Sequence, residues 1–256
     1  MTVFTENNIT FYVNYNHILY RVENKNPDPK DVFIPSVLPD GTKIKGIERD
    51  FAVGEFGTIS IDDGISLSYA LGGPFSNMYA EKLVWPQGIT NITPYTFSNS
   101  AIGEISNLDH VNSVDYRAFF EANIGNMRWP DACTFIPDCC FESSAIGHLS
   151  NIDHVTRVGA SAFKNTRIYE LRWPDRCRII PISCFQGSTL RHITNLDGVE
   201  LIQESAFLNA EHIEKIDLSS AFVCKIEPIA FRGVDPNKVN LPYYGSLTKD
   251  NCAPLF

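Results

Sequence analysis

The stretch Val158-Gly159-Ala160-Ser161-Ala162-Phe163, with Leu171-Arg172-Trp173-Pro174 close behind it, decides how this chain folds. Its closing phenylalanine belongs to a series: Phe75, Phe97, Phe119, Phe141, Phe163, Phe185 and Phe207, each 22 residues after the last. Phe51 precedes that run by 24 residues and Phe231 follows it by 24. A fixed period of this length marks a solenoid, in which each unit is one coil that cannot bury its apolar side alone.

Three positional classes accompany the anchor. Five residues before it stands a β-branched residue: Ile92, Val114, Ile136, Val158, Ile180, Ile202, Ile226. Three further back comes another apolar residue or a thiol: Ile89, Val111, Cys133, Val155, Cys177, Val199, Val223. Directly before the ring sits something small: Thr96, Ala118, Cys140, Ala162, Cys184, Ala206, Ala230. Like positions therefore lie above one another, and the small residue leaves room for the ring in a close-packed interior.

Behind each anchor runs a second pattern, apolar-x-x-apolar-x-aromatic-Pro, as Ile124-x-x-Met127-x-Trp129-Pro130 and Ile168-x-x-Leu171-x-Trp173-Pro174, with a shorter match at Leu83-x-Trp85-Pro86. The Trp-Pro pairs are 44 residues apart, and Asn107-Leu108-Asp109, Asn151-Ile152-Asp153 and Asn195-Leu196-Asp197 fall between or after them at the same interval. The true repeat is a pair of coils, one with Trp and one with Asn at the equivalent place. Alternating large and small side chains avoids a layer of adjacent indoles at the roughly 4.8 Å strand spacing. Whether the Asn also hydrogen-bonds along the stack is a question for the structure, since a buried amide needs partners.

The string I-x-x-x-A-F followed by L-x-x-I-x-I/W-P, clearest at Val158–Phe163 and Leu171–Pro174, resembles the BspA-type leucine-rich repeats over roughly residues 30–242. The resemblance implies a repeat solenoid: a right-handed coil with one parallel β-sheet, β-rich with short helical or 3-10 turns. It further implies a binding role and carries no catalytic residues. The string departs from the commoner leucine-rich pattern, which has Asn three positions after the last strand leucine, and the Trp in the strand and the Asn-Leu-Asp alternate are unusual for the family it resembles.

Around the repeats, Ile9, Phe11, Val13 and then Ile18, Tyr20, Val22 alternate with polar residues about Asn16-His17, which predicts a hairpin. Residues 1–30 are expected to cap the stack, 31–242 to form coils of 22–24 residues, and 243–256 to cover the far end. Asn26–Pro29 reads as a loop, Val32–Pro35 as the first strand, the glycine-rich Gly54–Gly73 as a bulging loop, and Val239-x-Leu241-Pro242 as the last strand.

Composition narrows the function classes. With 44% hydrophobic residues the chain can bury a substantial core. A net charge of −9 disfavours nucleic acid as main partner. No apolar run is long enough for a membrane span, and the opening residues lack the pattern of a secretory signal. Seven cysteines form no disulfide framework: Cys133 with Cys177, and Cys140 with Cys184, share a phase two coils apart, beyond disulfide reach. The odd count argues for a reducing compartment, hence a cytoplasmic location, with a cell surface or virion as the alternative.

No His is phased to activate a cysteine, and no phosphate loop, CxxC pair or HExxH occurs, so no catalytic, cofactor or metal residues are assigned. His148 and His192 are too far apart to share a metal. Asp109-His110 and Asp153-His154 read as polar turn positions, and the sequons at Asn8 and Asn91 carry no weight without export. What remains is the outward face of the strand row, a mixed ladder of Lys82, Glu104, Asn126, Arg128, His148, Glu170, Arg172, His192 and Lys215. Arg128 and Arg172 are the first choice of partner anchors. The sequence-level expectation is a non-enzymatic interaction or assembly protein with a protein partner, within a larger particle such as a virion or cytoskeletal assembly, or as a homo-oligomer. A cell-surface adhesin of BspA type is the alternative, and an enzyme with a site grafted on the solenoid the remote one.

Overall fold

The computed structural model describes residues 1–48, 50–67, 73–221 and 225–242. They fall into two compact units, Met1–Ala132 and Cys133–Phe256. The expected positions Val223 and 243–256, and part of the Gly54–Gly73 segment, lie outside the described residues.

In the first unit the strands Lys30–Ile34, Glu55–Ile61, Tyr79–Val84, Ala101–Ser106 and Asn123–Arg128 run parallel, each bonded to the next. The register follows the sequence period, with Ile102 beside Ile124 and Glu104 beside Asn126. In the second unit Glu170–Arg172 pairs in parallel with His192–Thr194, and single bridges join Ala145 to Arg167 and His192 to Lys215. Ile216–Asp217 pairs with Val239–Asn240.

Each unit also carries a second, shorter row of parallel strands, which extends the expectation of a single sheet. It comprises Gly46–Ile47 with Ser66–Leu67 and Asn91–Ile92 with Ser113–Val114 in the first unit. In the second it comprises Phe135–Ile136 with Arg157–Val158, and Ile179–Ile180, Leu201–Ile202 and Lys225–Ile226. This row forms on the β-branched class, whose restricted χ1 suits a pleated strand. Its inward members Ile92, Ile136, Ile180 and Ile202 are fully buried.

The rings do what the period requires. Phe75 and Phe97 stack at 5.7 Å, and Phe97 and Phe119 at 4.9 Å, in the first unit. In the second, Phe141, Phe163, Phe185, Phe207 and Phe231 form a column with centroids 5.3 to 5.5 Å apart and planes within 16°. Phe51, one longer step away in sequence, meets Phe75 edge-on instead, at 78°. The small residue before each ring, from Thr96 to Ala230, has no exposed surface.

The chain turns about each ring without a helix. The N–H groups of Tyr95, Phe97 and Asn99 donate to the carbonyls of Arg117, Ala118 and Phe120 in the next coil. Those of Thr96, Ser98 and Ser100 donate within their own coil, three residues back. Such alternation puts the residues two before and two after the ring in the left-handed region, as at Arg117 (φ 54°) and Glu121 (φ 57°), or Ser161 (φ 56°) and Asn165 (φ 55°). Glycine takes the second of these places at Gly187 and Gly233, where it has no Cβ to strain. The short helical turns anticipated here are thus mostly stacked β-turns. Pro236–Lys238 is the one 3-10 helix among the described residues.

The alternating Trp and Asn coils are also resolved. Trp85 and Trp173 are fully buried, Trp85 touching Phe75 and Phe97 and Trp173 touching Phe185. Their indole N–H groups donate to Ile89 O at 2.7 Å and Cys177 O at 2.8 Å. In the next coil Asn107 and Asn195 sit at φ 65° and 64° and donate Nδ2–H to the carbonyls of Trp85 and Trp173, at 2.6 and 2.7 Å. The amide does bond along the stack. The neighbouring Leu108 and Leu196 are buried.

Two segments differ from expectation. Residues in Gly54–Gly73 are not a bulging loop: Glu55–Ile61 is a full strand with Phe56, Ile59 and Ile61 turned inward. Its glycines mask the pattern because Gly57 serves a close approach, where a Cβ would lie 2.6 Å from Asp31 Oδ1. At the N-terminus the hairpin of Ile9–Val13 and Ile18–Asn24 gains a third antiparallel strand, Thr2–Glu6, whose mostly exposed side chains give no alternating signal.

Candidate binding face

The long strands do not alternate strictly. Between inward Ile102 and Ile105 two residues, Gly103 and Glu104, face out. The first of these columns runs Glu81, Gly103, Gly125 in the first unit, and a Cβ on Gly125 would meet Gly103 O at 2.3 Å, so neighbouring backbones approach closely there. The second column holds the candidate residues.

In the first unit Thr58, Lys82, Glu104 and Asn126 lie in register across four strands. Lys82 and Glu104 are half-buried and joined by an ion pair of 2.8 Å, while Asn126 is exposed. In the second unit Glu170 lies beside His192, and His192 is bridged to Lys215. His148, Glu170, Arg172, His192 and Thr194 border a cavity of about 260 Å³. His192 also meets the ring of Tyr169 edge-on at 5.3 Å and lies 3.5 Å from Glu214.

Arg128 and Arg172 are less open than the sequence suggests. Arg128 is held between Asp109 and Asp131, at 2.6 and 2.7 Å. Arg172 is held in the same way between Asp153 and Asp175, the latter at 2.7 Å. The Arg172 guanidinium, helped by the Asn195 amide at 2.8 Å, keeps the Asp175 carboxyl below its ordinary range. Each arginine thus ties its strand to the turns beside it. Lys215 does likewise for Asp217 at 2.6 Å and depresses that carboxyl strongly, with Ser219 adding two hydrogen bonds.

Sequence reasoning missed Tyr169 and Arg191, which add an exposed aromatic surface beside the ladder. Tyr169 is 55% exposed, and the Arg191 guanidinium lies 5.4 Å from its ring centre. The available signal was phase: both occupy the outward column that holds glycine at Gly103, Gly125 and Gly147.

Four of the described thiols are inert packing groups. Cys133, Cys140, Cys177 and Cys184 are buried. Burial pushes the Cys133 thiol up to about 11 and the Cys177 thiol to about 12, and raises Cys140 and Cys184 well above the usual value. These four thiols offer little thiolate to be oxidised and so do not speak for a reducing compartment; Cys139 is half-buried, and Cys224 and Cys252 lie outside the described residues. Among the described residues no three or more His, Cys, Asp or Glu side chains gather as a metal set. No described helix is long and apolar enough to cross a membrane.

The model of the BspA type leucine rich repeat region matches residues 72–191 and 156–251, in six copies. The chain belongs to the BspA-type leucine-rich repeat family. Among curated proteins no sequence matches it. Similar solved structures include a leucine rich cell surface protein from Faecalibacterium prausnitzii, at 15% identity over 100% of this chain and 97% of that one, with a TM-score of 0.39. The pneumococcal vaccine antigen PcpA is similar at 18% identity over 95% and 78%, with a TM-score of 0.37. A leucine-rich repeat protein from Bacteroides ovatus is similar at 17% identity over 90% and 92%, with a TM-score of 0.34. Membership of a BspA-type family is in keeping with a protein-interaction or surface-adhesin role.

Proposed function

We propose that this BspA-type protein is a non-enzymatic binding protein that works as an adhesin at the cell surface. The long-strand face of each unit, with Lys82, Glu104, Asn126 and Arg128 in the first and His148, Glu170, Arg172, His192 and Lys215 together with Tyr169 in the second, would meet a protein partner. The observation that carries this reading is the polar ladder itself: in each unit, charged and amide side chains stand in register on strands whose inner residues are buried. A rigid sheet presenting such groups loses little side-chain and backbone freedom on binding. Family membership supports the surface alternative over the cytoplasmic placement, and nothing supports a virion or cytoskeletal particle. We further propose that residues 1–30 cap the coils of 31–242, with 243–256 as the second cap; the antiparallel hairpin at the N-terminus supports the first of these.

Two measurements test the proposal. Brief protease treatment of intact cells should remove the protein from an immunoblot while a cytoplasmic marker survives. Affinity capture with the purified protein should recover a partner that a variant carrying Lys82→Glu, Glu170→Lys and Lys215→Glu does not hold. Full protection from protease in intact cells, with loss only after lysis, would refute the surface reading. Equal capture by the charge-reversed variant would refute the long-strand face.

A further inference from the structure

The second strand row carries a groove that the long-strand ladder does not explain. In the second unit the inward residues of this row are Ile136, Val158, Ile180 and Ile202, and the residue before each faces out: Phe135, Arg157, Ile179 and Leu201. A cavity of about 700 Å³ opens here, bordered by Arg157, Arg176, Arg178 and Ile179. The carboxylate on its border, Asp138, is turned to the backbone and accepts from Ala160 N–H at 2.9 Å. Arg178 pairs with Glu200 across the next coil. The side chains of Arg157 and Arg176 make no hydrogen bond or ion pair among the described residues; Asp175, which attracts Arg176 at longer range, is already held by Arg172 and Asn195.

Arg157 is also oriented. Its guanidinium lies 4.1 Å from the centre of the Phe135 ring, which fixes the plane of the fork and leaves the N–H edge for a ligand. Ile179 is 46% exposed beside it, so the groove combines guanidinium donors with an aliphatic floor.

We propose that this groove seats a short extended acidic peptide segment of a partner protein, with carboxylates on Arg157 and Arg176 and an apolar side chain on Ile179. Two arginines without carboxylate partners in a chain of net charge −9 form a local positive patch, and carboxylate is the group whose geometry the fork matches. The same negative net charge repels a long polyanion beyond the patch, which disfavours a sulfated glycan or nucleic acid. The aliphatic floor selects a peptide side chain over a sugar. These side chains are separate from the long-strand ladder, so this inference stands or falls independently of the adhesin reading.

The test is fluorescence anisotropy on the full chain with a labelled Glu-Leu-Glu-Leu-Glu-Leu peptide, its Gln-for-Glu analogue, and a heparin oligosaccharide as probes. The acidic peptide should bind more tightly than its neutral analogue, and weaken as salt is raised. Arg157→Gln and Arg176→Gln should each lower its affinity about tenfold, as expected for loss of a charge-assisted hydrogen bond. Arg157→Lys should fall between, and Lys43→Gln, at an exposed cation away from both faces, should leave binding unchanged, each variant showing the parent circular-dichroism spectrum. Equal binding of the neutral peptide, no binding of either peptide, or unaltered affinity in both glutamine variants would overturn the proposal. Saturation by the heparin oligosaccharide without binding of the acidic peptide would replace it with an anionic-glycan site.

Discussion

Phe163→Ala probes the stacking that every other feature depends on. Phe163 is fully buried, with Phe141 at 5.3 Å on one side and Phe185 at 5.5 Å on the other, both nearly parallel to it. Ala162 before it and Cys184 in the following coil are also without exposed surface, and backbone hydrogen bonds hold the coil spacing, so the hole cannot collapse readily. The cost should be well inside the range for Phe→Ala, about 4 kcal/mol. The two lost ring contacts, at about 0.5–1.5 kcal/mol each, lie partly inside that figure. Against a total stability of about 5–15 kcal/mol this is a large fraction. For a chain of this size it corresponds to a fall in Tm of about 8–16 °C. Urea unfolding followed by far-UV circular dichroism, with a parallel thermal scan, measures it, and Phe163→Leu should recover more than half of the loss. A change below about 1 kcal/mol for Phe163→Ala, in a protein that remains folded, would refute the reading of the ring column as the principal core.

Other perturbations test separate links. Asn195→Ala removes the amide bonded to Trp173 O and leaves at φ 64° a residue that tolerates the left-handed region less well than Asn, so it should cost about 1–3 kcal/mol, and Asn195→Gly less, in urea melts; an inverted order would contradict the left-handed account. Ile229 is β-branched at φ 52°, and Ile229→Asn should raise stability by about 1 kcal/mol, read as a higher Tm; a lower Tm would show that its packing outweighs the strain. The thiols of Cys133 and Cys177 have raised folded-state values of about 11 and 12, so their contribution is complete below about pH 8.5, where unfolded thiols begin to ionise, and is lost as pH rises towards those values. Stability should therefore decline above that pH, and the double substitution Cys133→Ala with Cys177→Ala should flatten the decline; an unchanged slope would contradict it. Arg172→Gln removes an exposed double ion pair and should cost less than about 1 kcal/mol at neutral pH. Because Asp175 is held below its ordinary range, that small contribution is present above about pH 4 and fades as pH falls, which acid titration of both proteins can compare.

The interior of each coil was legible in the sequence because packing forces residue type at a fixed phase. The ring, the small residue before it and the β-branched residue five before it all occupy buried places. The left-handed positions were less visible. Asn and Gly hold some of them, but Tyr95, Arg117 and Ile229 are not residues that favour φ above zero. At Tyr95 the conformation goes with an N–H that donates to Arg117 O in the next coil, a demand of the stack that local preference does not reveal. The bracket around Arg128 joins residues 19 before and 3 after it. Its signal was present, since Asp109, Arg128 and Asp131 recur 44 residues on as Asp153, Arg172 and Asp175. A charge read alone looks available to a partner; the same charge read with its phase-mates is already engaged.

The division between inner and outer residues also bears on where recognition can reside. In the short row the inward position hardly varies, from Ile92 and Val114 to Ile136, Val158, Ile180 and Ile202. The outward residue directly before it changes from Asn91 and Ser113 in one unit to Phe135, Arg157, Ile179 and Leu201 in the other. Packing cannot account for that change, since the outward side chains do not enter the core and the pairing register is the same 22-residue offset. Polar filling of a solvated edge does not account for it either, because an Ile 46% exposed beside an arginine stacked on Phe135 exposes apolar surface to water. Residues that neither stabilise the stack nor suit water have their simplest physical rationale in contact with something else. On that ground the short row of the second unit, and not only the long-strand ladder, belongs in the search for what this protein binds.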